Sequence, residues 1–193
     1  FVGRLVAVKA LPLLLRAIAR LSAEGAPVQL TVAGDGPMEA AWRAEAAALG
    51  LAPHVRWLGA VARGSVPDVM RDCHVFCLPS VRESGGAVLL EAMACARPVI
   101  ALDFGGPAEI VDAQVGWKVD ARDPAAAVAG LADALREALR RPDEAAERGR
   151  RAHRRVLLGH TWTARLDAAE AIYADVLAGR RGLSAPAARP TAT

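Results

Sequence analysis

The sequence predicts an α/β fold: one parallel, doubly wound, Rossmann-like sheet of about six strands with helices on both faces, followed by carboxyl-terminal helices. Three observations carry that expectation. Short apolar runs alternate regularly with longer amphipathic segments, the pattern of strand–helix–strand crossovers. About half of the residues are hydrophobic, dominated by Ala, Leu and Val with few aromatics, which suits a helix-rich α/β chain better than an all-β one. The length, 193 residues, suffices for one domain with a substantial core but not for two full domains.

In chain order, the strand candidates are residues 1–3, 28–33, 55–58, 75–78, 98–101 and 116–119. Helices are expected between them at 11–23, 38–49, 66–71, 87–96 and 108–111. The first of these carries Leu14, Ala17, Ile18 and Leu21 at helical spacing. Pro124 then opens a long helix to about residue 140, Pro142 opens another, and a third covers 162–178. Residues 1–160 read as the main domain and 161–178 as a separate carboxyl-terminal helix. Residues 179–193, rich in Arg, Gly, Ala and Pro, read as a disordered tail. The chain opens on Phe1-Val2-Gly3 as if entering mid-strand, so it is expected to be a piece of a larger protein.

Charges are nearly balanced, with a net charge of +3 that arises from Arg on helix faces and in the clusters at 140–141 and 148–155. These read as solvated helix faces, with peripheral contact to an anionic membrane as the functional rival. No aromatic residues interleave with them, so nucleic-acid binding is not expected. Cys73, Cys77 and Cys95 form no even disulfide framework, which favours a reducing, cytoplasmic setting, at the inner face of a membrane if such contact occurs. Cys73 and Cys77 flank His74, but they border and enter an apolar run and read as buried small residues rather than metal ligands. No stretch approaches the roughly 20 apolar residues needed to span a bilayer.

Three segments carry chemistry. In Phe1-Val2-Gly3-Arg4-Leu5-Val6-Ala7-Val8-Lys9 a strand ends at Gly3 and a loop with two cations follows. Ligands of a doubly wound sheet sit beyond the carboxyl ends of its strands, so Arg4 and Lys9 would project there as a clamp for a diphosphate. Gly34-Asp35-Gly36-Pro37 reads as a strand-to-helix turn in which Asp35 caps the next helix. In Pro79 to Ala94, a buried strand breaks, a polar loop carries Glu83, and Gly85-Gly86 opens an apolar helix containing Glu91. Bare N–H groups at such a helix start bind anions. The two carboxylates can face one ligand from different depths and accept from vicinal sugar hydroxyls. The alternative for the helix carboxylate is a salt bridge to Arg82 or Arg97. With strand order 3-2-1-4-5-6, the first and fourth strands are neighbours. The two cations and the Glu83–Glu91 segment then fall on opposite lips of one crevice.

On these residues the chain resembles glycosyltransferase family 4, of the two-domain, retaining GT-B class. The likeness runs through Phe-Val-Gly-Arg-Leu, Gly34-Asp35-Gly36-Pro37, Val55-Arg56-Trp57-Leu58-Gly59 and the Glu-x7-Glu pair. It continues in Arg97-Pro98-Val99-Ile100-Ala101 and Gly105-Gly106-Pro107-Ala108-Glu109-Ile110-Val111. The resemblance implies one GT-B half, the carboxyl-terminal donor domain. It makes Arg4, Lys9 and Glu83 catalytic, and Gly3, Arg4, Lys9, Ala60, Val61, Ala62, Glu83, Ser84, Gly85, Gly86, Ala87, Val88 and Glu91 donor-binding. In that scheme Arg4 and Lys9 hold the diphosphate, Glu91 the ribose hydroxyls, Glu83 the sugar, and Ala60 to Ala62 meet the base.

The implied substrates are a nucleotide-sugar donor and a glycan or lipid-linked acceptor, with no metal or other cofactor. The implied partner is an amino-terminal domain of the same enzyme, against which the last helix would pack and without which the chain would be inactive. The family loop more often reads Glu-Gly-Phe-Gly, whereas Glu83-Ser84-Gly85-Gly86 lacks the aromatic, a departure that bears on sugar specificity. The rival readings are a GT-B nucleotide-sugar epimerase and a non-catalytic nucleotide-binding module. For an epimerase, none of His54, His74, His153 and His160 is placed as an acid–base group. A nicotinamide enzyme is disfavoured because no glycine fingerprint follows the first strand.

Overall fold

The computed structural model describes residues 1–180. Among the described residues, five strands form two parallel sheets. β1 (Leu30–Ala33) pairs with β2 (Val55–Gly59), while β3 (Phe76–Leu78), β4 (Val99–Leu102) and β5 (Gly116–Val119) lie in that order in the second. The sequence leads one to expect about six strands. The first survives only as a single parallel bridge, Val2 to Ala33, because the segment runs beside β1 only over Phe1 to Gly3. Gly3 N–H donates to Ala33 O and Ala33 N–H to Phe1 O, each at 3.0 Å. The spatial sequence is therefore β2, β1, then the opening segment, as the doubly wound order requires on that side. Towards β3 the opening segment has no ladder; the link is Val81 N–H to Val8 O at 3.0 Å.

The helices form where spacing and caps direct them. α1 (Leu11–Ala23) buries Leu11, Leu14, Leu15, Ile18 and Leu21 at helical spacing, and it packs on α6 (Pro124–Arg140). Asp123 caps α6 by accepting from Ala126 N–H at 2.8 Å, with Pro124 in the first turn. Between these lie α2 (Glu39–Ala48), α3 (Val66–Arg71), α4 (Ala87–Ala94) and α5 (Gly105–Ile110). α5 starts three residues before the expected 108, because Pro107 is tolerated in a first turn where its missing N–H has no intrahelical acceptor. α4 closes in a Schellman arrangement: Ala96 N–H donates to Met93 O at 2.9 Å and Arg97 N–H to Ala92 O at 3.0 Å.

β4 is buried along its whole length, and Leu5, Leu14, Phe76, Leu78, Leu89, Met93 and Ile100 share the core around the sheets. That core belongs to a compact unit, Phe1–Val156, and a second unit begins at Leu157. α7 (Pro142–Gly159) buries Ala145, Gly149, Ala152 and Val156. α8 (Trp162–Leu177) is capped by Thr161 and has no buried residue; Trp162 and Tyr173 are 86% and 68% exposed. Most of the expected disordered tail, residues 181–193, lies outside the described residues.

Candidate functional site

The first lip of the site is the loop after the opening segment. Leu5 is fully buried while its neighbour Arg4 is exposed, so the core holds one residue and presents the other to solvent. Burying a leucine contributes about 1.5–3 kcal/mol, enough to fix the loop locally. The backbone adds to this: Leu5 N–H donates to Asp35 O at 2.7 Å and Leu5 O accepts from Met38 N–H at 3.0 Å. Such close approach requires bare backbone. A Cβ at Gly34 would overlap Gly3 O, and one at Gly36 would come within 2.5 Å of Leu5 O. The Gly34–Pro37 segment is a strand-to-helix turn, as its sequence suggests, but its glycines serve the neighbouring lip. Asp35 does not cap: α2 has Met38 at its N-cap and no side-chain cap bond, because Asp35 lies outside the first turn.

The second lip is the loop between β3 and α4. Glu83 is half-buried there, and its carboxylate accepts from Gly86 N–H at 3.3 Å. Gly86 sits at φ +64°, the left-handed conformation that glycine adopts without penalty, and opens α4. The loop is held from behind by Gly105 and Gly106. Gly106 N–H donates to Glu83 O at 3.0 Å, and a Cβ on either glycine would overlap the Glu83 or Ser84 carbonyl. This support is invisible to periodicity; the local signal is two successive residues without Cβ, separated by two residues from the end of a buried strand.

The lips meet through Lys9 and Glu83, with Lys9 Nζ 2.5 Å from Glu83 Oε2 and side-chain exposures of 20% and 16%. Partial burial pushes the Glu83 carboxyl up. The Lys9 hydrogen bond and charge, with the Gly86 and Gly85 N–H groups, outweigh that push and hold the carboxyl below its ordinary value. Around this pair opens a cleft of about 560 Å³ lined by Gly3, Arg4, Lys9, Arg82, Glu83, Ser84 and Val88 together with apolar side chains. The structure thus brings together Gly3, Arg4, Lys9, Glu83, Ser84 and Val88 of the expected set.

The other expected residues lie around this centre. Gly85, Gly86 and Ala87 form the start of α4, and Glu91 is not among the lining residues. Glu91 stands three residues after Val88, so it shares that helix face one turn further along. It is exposed, and among the described residues it forms no ion pair with Arg82 or Arg97; Arg97 instead donates to the Cys95 and Cys73 carbonyls. Ala60, Val61 and Ala62 follow β2, two strand positions from the opening segment and therefore about 10 Å away laterally, at the same carboxyl edge.

None of the four histidines lines the cleft. Cys77 is buried and its thiol is pushed up to about 12 by desolvation. Among the described residues no cluster of three or more His, Cys, Asp or Glu could hold a metal ion. No helix among them is long and apolar enough to cross a membrane. The basic stretch of α7 is internally compensated: Arg148, Arg151 and Arg155 pair with Glu137, Glu144 and Asp112.

Comparison with known proteins identifies the family of the chain. The family model described as Glycosyl transferases group 1 matches residues 1–153. A phosphatidyl-myo-inositol mannosyltransferase of Mycobacterium leprae is 41% identical over 115 residues, 58% of this chain and 29% of that protein. A D-inositol 3-phosphate glycosyltransferase of Mycolicibacterium smegmatis is 32% identical over 192 residues, 98% of this chain and 43% of the relative. Among solved structures, Anabaena Alr3699/HepE in complex with UDP has the same fold, with a TM-score of 0.74 at 23% identity over 90% of this chain and 49% of that one. The chain spans less than half the length of these relatives. With a family model covering most of its length and both lips of the cleft inside the match, the chain belongs to the group 1 glycosyl transferases.

Proposed function

We propose that this chain is the donor-binding half of a retaining glycosyltransferase of the GT-B class, taking a nucleoside-diphosphate sugar whose sugar is transferred to a glycan or lipid-linked acceptor. One observation carries the reading. Arg4 and Lys9 after the opening strand, and Glu83 with the glycine-opened helix after β3, line a single cleft beside the carboxyl ends of the strands. The chemistry follows from charge. A departing nucleoside diphosphate gathers negative charge, and Arg4, Lys9 and the N–H groups opening α4 are preorganised to favour it. No metal is assigned a role in this reading. Glu83 accepts from sugar hydroxyls, Glu91 from the ribose further along α4, and Ala60 to Ala62 border the base.

Acceptor recognition and the rest of the catalytic machinery belong to an amino-terminal domain, and the exposed apolar side chains of α8, Trp162, Leu166, Ile172 and Tyr173, are the contact surface for it. The chain by itself binds donor and transfers nothing. Calorimetry with UDP, GDP and ADP and with their sugar conjugates tests the reading. At least one nucleoside diphosphate should bind at micromolar to millimolar concentration, without transfer to any acceptor. Absence of binding by all of them, or turnover by the isolated chain, defeats it.

A further inference from the structure

Arg82 lines the cleft and forms no ion pair with Glu91 among the described residues. Its surroundings give it another role. The backbone on either side of it is pinned: Val81 N–H donates to Val8 O at 3.0 Å, and Glu83 O accepts from Gly106 N–H at the same distance. The residue between these anchors lines the cleft with its side chain exposed, on the lip opposite Arg4. Its nearest carboxylate in sequence, Glu83, is committed to Lys9 and to Gly86 N–H. No other acid lines the cleft, and neither Arg82 nor Arg4 has an ion-pair partner among the described residues. The lining therefore holds three cations, Arg4, Lys9 and Arg82, against one carboxylate, Glu83. Lys9 is neutralised by that carboxylate, which leaves two guanidinium groups without an ion-pair partner among the described residues, one on each lip.

Resting on the donor-site reading, we propose that Arg82 is a second diphosphate-binding residue, closing on the donor phosphates from the lip opposite Arg4. The charge surplus matches its ligand. A diphosphate diester carries two negative charges, and the departing nucleoside diphosphate carries nearly three, because a terminal phosphate has a second pKa near 6. A planar guanidinium presents a fixed, coplanar fork to two phosphoryl oxygens, a geometry that the rotatable donors of an ammonium do not hold. Arg82 thus takes over the charge that Lys9 spends on Glu83, and it selects diphosphate over monophosphate ligands.

The test is calorimetry on this chain with UDP, GDP and ADP and the corresponding monophosphates, comparing wild type with Arg82→Gln, Arg82→Lys and Arg4→Gln. The side chain is exposed, so the melting temperature of the Arg82 variants should match wild type. Arg82→Gln should weaken the bound nucleoside diphosphate by about five- to tenfold and the monophosphate by less than about twofold, with partial recovery in Arg82→Lys. If Arg4→Gln weakens the diphosphate while Arg82→Gln binds like wild type, the Arg82 proposal alone is overturned. An equal loss for mono- and diphosphate in Arg82→Gln also overturns it, since a general field rather than a contact would then be acting. If wild type binds no nucleoside diphosphate, the donor-site reading fails and the role of Arg82 falls with it.

Discussion

Lys9 and Glu83 stand 74 residues apart in the sequence and 2.5 Å apart in the fold, so one ion pair joins the two lips of the cleft. A ligand diphosphate must therefore compete for Lys9 with a carboxylate already there. The two positions are expected to be strongly non-additive. Lys9→Met and Glu83→Gln should each weaken a nucleoside-diphosphate sugar, and the double variant should lose clearly less than the sum of both. Calorimetry of the four proteins measures the coupling, and simple additivity would mean that the pair does not govern donor binding.

The pH dependence follows from the same carboxylate. Glu83 is held below its ordinary value of 4.5, so its stabilisation is fully present above that pH and is lost as pH falls through the lower, folded value. Asp112 behaves likewise: burial pushes it up, while Arg155 and the Gln114 and Val115 N–H groups hold it below 3.8. Thermal melts should be flat near neutrality and fall in the acid range, and Glu83→Gln should remove part of that acid slope. A slope unchanged in this variant would contradict the assignment.

Glu83 and Glu91 divide the donor between them. Glu91→Ala is expected to weaken every donor and the free nucleoside diphosphate by about tenfold, as loss of a ribose contact does. Glu83→Ala should weaken sugar-bearing donors more than the free diphosphate. Binding measurements with both ligand types decide this, and equal losses for both ligands in both variants would end the division of labour.

The glycines behind Glu83 position it. Gly106→Ala drives a Cβ into the Ser84 carbonyl and should cost about 1–3 kcal/mol of stability together with a several-fold loss of nucleoside-diphosphate affinity. Gly116→Ala also collides with backbone, at Val99 in the sheet, and should cost stability without that affinity loss. Both variants are compared below their melting temperatures. Equal affinities would show that the Gly106 contact is purely structural.

Ala96 occupies the left-handed position that ends α4, at φ +56°, where an L side chain costs roughly 1–2 kcal/mol. Ala96→Gly is expected to raise stability by about 1 kcal/mol, equivalent to roughly 2–4 °C in Tm. Differential scanning calorimetry would show it, and a lower Tm would rule out relief of strain.

The sequence by itself determined the local elements and the residue types of the site. The helices at 11–23, 66–71 and 124–140 have the bounds that periodicity and Pro124 indicate, because those signals act within one or two turns. The cations after the first strand and the acid before a glycine-opened helix could likewise be read in place. Only the tertiary structure decided how they meet. The first strand shrinks to one bridge, Gly34, Gly36, Gly105 and Gly106 are required by carbonyls from distant segments, Lys9 finds Glu83, and Arg82 is left without a carboxylate. Each of these depends on through-space separations between segments far apart in the chain, and pattern along the sequence carries no measure of that distance.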